Sequence, residues 1–260
     1  MKNVAFIPVR LSSKRLSCKA VLSIHGKSIL EYLIDNLSKS KRLDAIVVAT
    51  TNNSIDDVIE NECSRLGIEC LRGNDENVLD RIKPLIFDKS VSRLIRVTGD
   101  CPLVDPQLID SQIEQSYLFN VDCLFYDHFK YTIGLGGEVY KRDSLEKLLE
   151  NSNNLQYSEY LIYYFQNNPD IFSSRTWEGS SDYISEMHLT LDTEQDFLVF
   201  FNIYTTLFSK KISKPFNFLN YKDLLIENDS CLINTKTLLK YKSDDTLVKE
   251  IKKWTRIQNR

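Results

Sequence analysis

The 260-residue sequence predicts an α/β fold, a mainly parallel twisted sheet with helices on both faces. Three observations predict it. Short β-rich runs alternate with stretches of helical apolar spacing through the first half. The gaps between those runs are long enough for a crossover helix, as parallel strands require. Polar or cationic loops follow directly on several predicted strands, where such sheets hold their ligands.

In order, residues 3–8 read as a strand, and Ile29, Leu30, Leu33, Ile34 and Leu37 give a helix over 29–37. Residues 45–50 form the next strand, followed by a helix over 55–66 whose positive end suits Asp56 and Asp57. A short strand at 69–71, a helix at 77–87 and a strand at 93–97 follow, and Pro106 opens a helix at a favoured position. A strand at 123–126 completes the regular half. Beyond it, residues 134–139 read as a loop entering a strand, 142–149 as a helix, 157–165 as an aromatic-rich helix, 172–177 as a strand and 193–207 as a helix. Residues 209–260 hold two or three modest helices. Without an internal repeat or a convincing linker, residues 1–210 are expected to form one domain, with 211–260 as a helical extension packed on it.

Composition narrows the function. Charge is nearly balanced, with 33 cations against 36 anions and a net charge of −3, which argues against a general nucleic-acid binder. The six cysteines (18, 63, 70, 101, 123, 231) show no CxxC pair and no metal-ligand spacing with His25, His128 and His188. Met1-Lys2-Asn3 opens directly into the first strand, and no apolar run nears the roughly 18 residues of a membrane span. The expectation is a reduced, cytoplasmic protein with free thiols. Glycine is scarce, eight residues against a usual share of about 7%. Five of the eight (73, 99, 134, 136, 137) fall in segments that carry chemistry.

The first such segment is Arg10-Leu-Ser12-Ser13-Lys14-Arg15-Leu-Ser-Cys-Lys19, which follows the apolar run Val4-Ala-Phe-Ile-Pro-Val9. Four cations, the hydroxyls of Ser12 and Ser13 and loop N–H groups past a strand end make a seat for a polyphosphate. The other reading is a solvated basic turn. Neither the Walker pattern nor GxGxxG is present, so P-loop and dinucleotide folds lose ground. The second segment, Val97-Thr98-Gly99-Asp100-Cys-Pro102, places an aspartate at a strand end, where it could ligate Mg²⁺ on a phosphate or cap a turn. The third, Leu189-Thr-Leu-Asp192-Thr-x-x-Asp196, repeats that arrangement, with Asp192 either a metal ligand or a helix N-cap.

Taken in order, these segments resemble the cytidylyltransferases that make CMP-activated sugars, the CMP-Kdo and CMP-sialate synthetases, and are most similar to the SpsF spore-coat polysaccharide branch. The resemblance runs over residues 3–208 and is carried by Pro8 to Lys19, Arg72-Gly73 to Val78-Leu-Asp80-Arg81, Thr98-Gly-Asp100-Cys-Pro-Leu-Val-Asp105-Pro106, Gly134-Leu-Gly136-Gly-Glu138-Val139, Ser158-Glu159-Tyr160 and Leu189 to Asp196. A fainter echo reaches Ile233-Asn234. The chain departs from the pattern at Ser17-Cys18, where proline and glycine are usual, at Gly136, where an acid is usual, and at Ser158 and Tyr160 of the arginine-glutamate-histidine triplet.

The resemblance implies a Rossmann-like nucleotidyltransferase fold and transfer of CMP from CTP to an acceptor, with release of pyrophosphate, in surface glycan biosynthesis. It implies that Arg10, Arg15, Lys19 and Asp100 act in catalysis. Arg10, Ser12, Ser13, Arg15, Lys19, Arg72, Gly73, Asp80, Arg81, Thr98 and Gly99 would contact the nucleotide. Asp100 and Asp192 would share Mg²⁺. Glu138, Glu159, Tyr160 and His128 would face a sugar-acid or phosphorylated acceptor, and a homodimer would form through residues 130–180. Two other classes share the architecture: a glycosyltransferase using nucleotide-diphosphate sugars, and a silent nucleotide-binding homologue.

Overall fold

Strand β1 (Lys2–Pro8) sends Val4 and Phe6 to one face of the sheet and Ala5 and Ile7 to the other, all four buried. A strand buried on both faces is the signature of a sheet covered by helices on both sides. In the computed structural model this sheet has seven strands, in the order β5 (Glu69–Gly73), β4 (Ala45–Thr51), β1, β6 (Val91–Arg96), β8 (Glu138–Lys141), β7 (Cys123–Phe125) and β9 (Ser174–Thr176). The described residues are 1–257, apart from 14, 153–154, 156, 186, 211–215 and 228–244. Lys14, Cys231 and the Ile233-Asn234 pair therefore lie outside them.

Strands β5, β4, β1 and β6 run parallel, and β8 alone is reversed, pairing antiparallel with both β6 and β7. The sheet is thus mainly parallel, as the sequence predicts, and mixed through the reversed β8. Strand β9 is parallel to β7. Strand order reverses between β1 and β6, and the carboxyl ends of those two strands open the crevice in which such sheets bind ligands.

Helix α1 (Ile29–Leu37) has the bounds its apolar spacing predicts, and Ser28 caps it by accepting from Glu31 N at 3.0 Å. With α2 (Asp57–Leu66), α5 (Pro106–Leu118), α8 (Glu194–Ser209) and α9 (Phe218–Glu227), it covers the face bearing Ala5 and Ile7. The other face carries α3 (Val78–Arg81), α4 (Lys83–Phe87), α6 (Arg142–Asn151) and α7 (Ile162–Gln166). The residue just past helix α10 (Asp245–Trp254) is tied to the body, Asn168 Nδ2 donating to Thr255 O at 2.8 Å.

Four elements differ from expectation. The helix expected over 77–87 is broken at Ile82, because Pro84 has no N–H to continue the ladder and instead sits in the first turn of α4. The aromatic helix expected over 157–165 is a 3-10 turn at Ser158–Tyr160 followed by the short α7. Residues 189–192, read from the sequence as a strand ending at Asp192, belong to no strand of the sheet. A small hairpin, β2 (Ser23–Ile24) and β3 (Lys27–Ser28), turns through His25 and Gly26, both at positive φ.

Candidate active site

The loop after β1 is anchored at its start. Val9 N donates to Ala49 O at 3.1 Å, and Leu11 N donates to the buried Asp56 Oδ1 at 2.8 Å. Cys18 N then returns to Leu11 O at 3.1 Å, closing the loop. Cys18 lies at φ 58, in the left-handed region, so the turn that glycine usually makes before Lys19 is kept by a cysteine. This geometry turns Arg10, Arg15 and Lys19 toward the β1/β6 crevice.

Lys19 Nζ meets three acceptors there: Asp100 Oδ2 at 2.9 Å, Asp192 Oδ1 at 3.1 Å and Leu191 O at 2.8 Å. Arg15 Nη2 reaches the same Asp192 Oδ1 at 2.7 Å. The two aspartates are tied through the backbone as well, since Leu191 N donates to Asp100 O at 2.8 Å. Asp192 does not cap α8. Thr193 does so, in a reciprocal capping box with Asp196, leaving the Asp192 carboxylate in the crevice. Thr98 Oγ1 lies 3.2 Å from Cys101 Sγ, and Gly99 packs against Val9 beneath Asp100.

Arg10 points to the other side of the crevice, pairing with Asp75 Oδ1 at 2.9 Å and Glu159 Oε1 at 2.7 Å. Ser12 is exposed, and Ser13 N donates to Leu11 O at 2.8 Å. Arg81 is buried and holds the 74–75 turn, donating from Nε to Asn74 O at 2.8 Å and from Nη2 to Asp75 O. Asp80 accepts from Asn74 N at 3.1 Å and pairs with Lys83, while Gly73 lies against the Arg81 backbone. Arg72 is drawn outward to Asp57 and Glu60 at 2.6 and 2.7 Å, and its Nε donates to Thr51 O at 2.8 Å. It pins the strand-end loop in this structure and is not turned into the crevice with Arg10.

On the β8 side, the reversed strand brings its first residue to the rim. Glu138 sits opposite Arg96 in register and pairs with its Nη1 at 3.2 Å, and Tyr140 OH donates to the same carboxylate. Arg96 Nη2 donates to Glu159 O at 2.7 Å, so Glu159 joins Arg96 through its backbone and Arg10 through its side chain. Ser158 is buried and accepts from Val78 N at 2.8 Å, an anchoring role at the start of α3. Burial pushes the half-exposed Tyr160 phenol up. His128 stands edge-on to Tyr126, ring centroids 5.4 Å apart.

Sequence reasoning missed Asp56, Asp75 and Arg96 as members of this group. Asp56 reads in the sequence as an acid at the positive end of a helix, and Asp75 and Arg96 sit one or two residues from motif positions with no local pattern to mark them. All three act through partners remote in sequence.

Several carboxylates here are held below their ordinary range. Burial works against ionisation of Asp100, but the Lys19 charge and hydrogen bonds from Thr98, Lys19 and Cys101 outweigh it. Hydrogen bonds from Arg10 to Asp75 and from Lys83 to Asp80 have the same effect. A depressed carboxylate stabilises the fold above its unfolded pKa, about 4, and that contribution is lost as pH falls toward its folded value. Asp105, raised by burial, works in the opposite sense and blunts the fall. The expected result is a drop in Tm between pH 5 and pH 3 in thermal melts. A Tm flat over that interval would count against these pairings.

The donor set fits a hard divalent cation. Two carboxylates converge on one positive centre, and Mg²⁺ typically takes one or two carboxylates and completes its shell with phosphate oxygens and water. A basic loop beside them supplies the complementary seat for the phosphates.

The family model for cytidylyltransferases matches residues 4–242. The chain belongs to the cytidylyltransferase family. This cytidylyltransferase is 33% identical over 241 residues to the uncharacterized protein MJ1063 of Methanocaldococcus jannaschii, covering 91% of this chain and 98% of that one. It is 30% identical over 208 residues to the spore coat polysaccharide biosynthesis protein SpsF of Bacillus subtilis, covering 76% and 84% of the two chains. Among solved structures, a cytidylyltransferase from Leptospira borgpetersenii superposes with a TM-score of 0.80 at 26% identity, over 90% of this chain and 98% of that one. No described helix is long and apolar enough to cross a membrane.

Proposed function

We propose that this cytidylyltransferase transfers CMP from CTP to a sugar-acid acceptor, releasing pyrophosphate, in the synthesis of a surface glycan. The observation that carries the reading is the convergence of Asp100 and Asp192 on one cation beside the basic 10–19 loop. An acceptor oxygen attacks the α-phosphorus in line with the departing pyrophosphate. The protein's share of the work is positioning and charge stabilisation.

Arg10, Arg15 and Lys19 grip the triphosphate and neutralise charge on the leaving pyrophosphate. Asp100 and Asp192 would hold Mg²⁺, and the bound ion would supply neutralisation of phosphate charge and a lowered pKa for the attacking hydroxyl. Arg96 and Glu138 form the opposite wall with Glu159, the side from which the acceptor approaches. The resemblance to CMP-Kdo and CMP-sialate synthetases supports a 2-keto-3-deoxy sugar acid as acceptor.

The test is a pyrophosphate-release screen of four nucleotides against a panel of sugar acids and phosphorylated polyols. Release with CTP and a sugar acid supports the reading. A nucleoside diphosphate as the product would identify a glycosyltransferase instead, and CTP binding without any release would identify a silent homologue.

A further inference from the structure

The aspartate pair and the Leu191 carbonyl saturate Lys19. Its ammonium has three N–H donors, and the structure gives it three acceptors: one oxygen from each carboxylate and the intervening Leu191 carbonyl. The Lys19 side chain is 14% exposed and that of Asp192 only 7%, so this cation is enclosed and not a solvated surface partner. Arg15 reaches the same Asp192 oxygen from outside and is more than half exposed. Among the described residues no group of three His, Cys, Asp or Glu side chains could hold a metal, so the pair offers a metal two side chains at most. A metal arriving alone therefore meets an occupied site and an incomplete shell.

We infer that Lys19 is a built-in stand-in for the divalent cation: it keeps the metal out of the nucleotide-free site, and the metal enters as the triphosphate draws the ammonium away. Lysine suits this exchange because its charge is compact and its stem flexible, so one side chain can serve carboxylates in one state and phosphate oxygens in the other. Lys19 also lies at the end of the 10–19 loop, beside the phosphate seat. Metal and nucleotide then bind with positive coupling, each raising the affinity of the other by the same factor. This inference rests on the reading of the site as CTP- and Mg²⁺-dependent, and it adds the order in which the site fills.

The experiment uses the full-length protein without nucleotide and Mn²⁺ as the probe, read by electron paramagnetic resonance of free Mn²⁺ and by thermal melting. Wild type should bind Mn²⁺ weakly at the pair and show no rise in Tm with millimolar Mn²⁺. Lys19→Gln and Lys19→Met should bind it at least about 10-fold more tightly, a coupling of ordinary size, and gain Tm on its addition. Lys19→Arg, which keeps the charge, should exclude Mn²⁺ as wild type does. Equal Mn²⁺ affinity in wild type and Lys19→Gln would overturn the inference. So would a Tm rise of wild type with Mn²⁺ alone, a measurement that needs no variant to fold. Binding of Mg·CTP to wild type is measured separately: its absence sinks the cytidylyltransferase reading, whereas equal Mn²⁺ affinities sink only the exchange.

Discussion

Asp100→Asn should lower turnover of CTP by about 10²-fold or more, the size of loss that follows removal of one preorganised electrostatic contact at a reacting centre. The substitution keeps the shape of the side chain and its place after β6, so the crevice stays formed. It removes one of the two negative charges that converge on Lys19, leaving the ammonium and Arg15 to share Asp192. The loss should fall chiefly on kcat if the carboxylate acts as charge develops on the departing pyrophosphate. Steady-state pyrophosphate release measures it. Near-normal turnover in Asp100→Asn would show that the carboxylate pair is not the metal seat, and the proposed chemistry would have to move elsewhere.

Gly134→Ala should destabilise the protein by about 3 kcal/mol or more, through overpacking and backbone strain together. Gly134 lies at φ 94, and a Cβ there would sit 2.0 Å from Leu189 O and 2.4 Å from Leu189 C. The opposing segment has little freedom to retreat. Leu189 N donates to Ile133 O at 3.0 Å, and Leu191 N donates to Asp100 O at 2.8 Å. Any displacement of Leu189 is therefore passed along three residues to Asp192. Urea unfolding should show a lower midpoint with an unchanged slope, and the surviving folded fraction should turn over CTP more slowly. A stability change under about 1 kcal/mol would mean that the 133–134 and 188–189 segments are not locked as described.

How much of this was legible in the sequence depends on the range over which each signal acts. The helix at 29–37 was readable because its apolar spacing and its Ser28 cap are local, and the strand at β1 because its run of apolar residues is bounded by a proline and a cationic loop. The motif residues of the crevice were readable by resemblance, including the pairing of Asp100 with Asp192. That they meet on Lys19 was not, because a cation and a carboxylate separated by 173 positions leave no local trace. The same holds for the Arg10–Glu159 pair and for Arg96, whose importance comes from two walls that only the folded sheet brings together. The break at Ile82 was readable in principle, since Pro84 forbids a continuous helix, but the apolar spacing across it masked the signal. Ser158 looked like a degraded acceptor residue; its burial and its bond to Val78 N give it a packing role that no spacing rule would reveal.

The reversed strand β8 has a consequence for how such a scaffold can diversify. Four parallel strands deliver their closing residues to the crevice, while β8 delivers its opening one, from a stretch of chain lying after all four. Changes at Glu138 therefore act on the β8 bank through Arg96 and Glu159, whereas Gly134 and Gly136 just upstream are held by close contacts with Leu189 and Tyr126. Under the proposed function, substitution at the opening residue of β8 would alter which recipient molecule is accommodated, while Lys19, Asp100 and Asp192 are supplied by other elements.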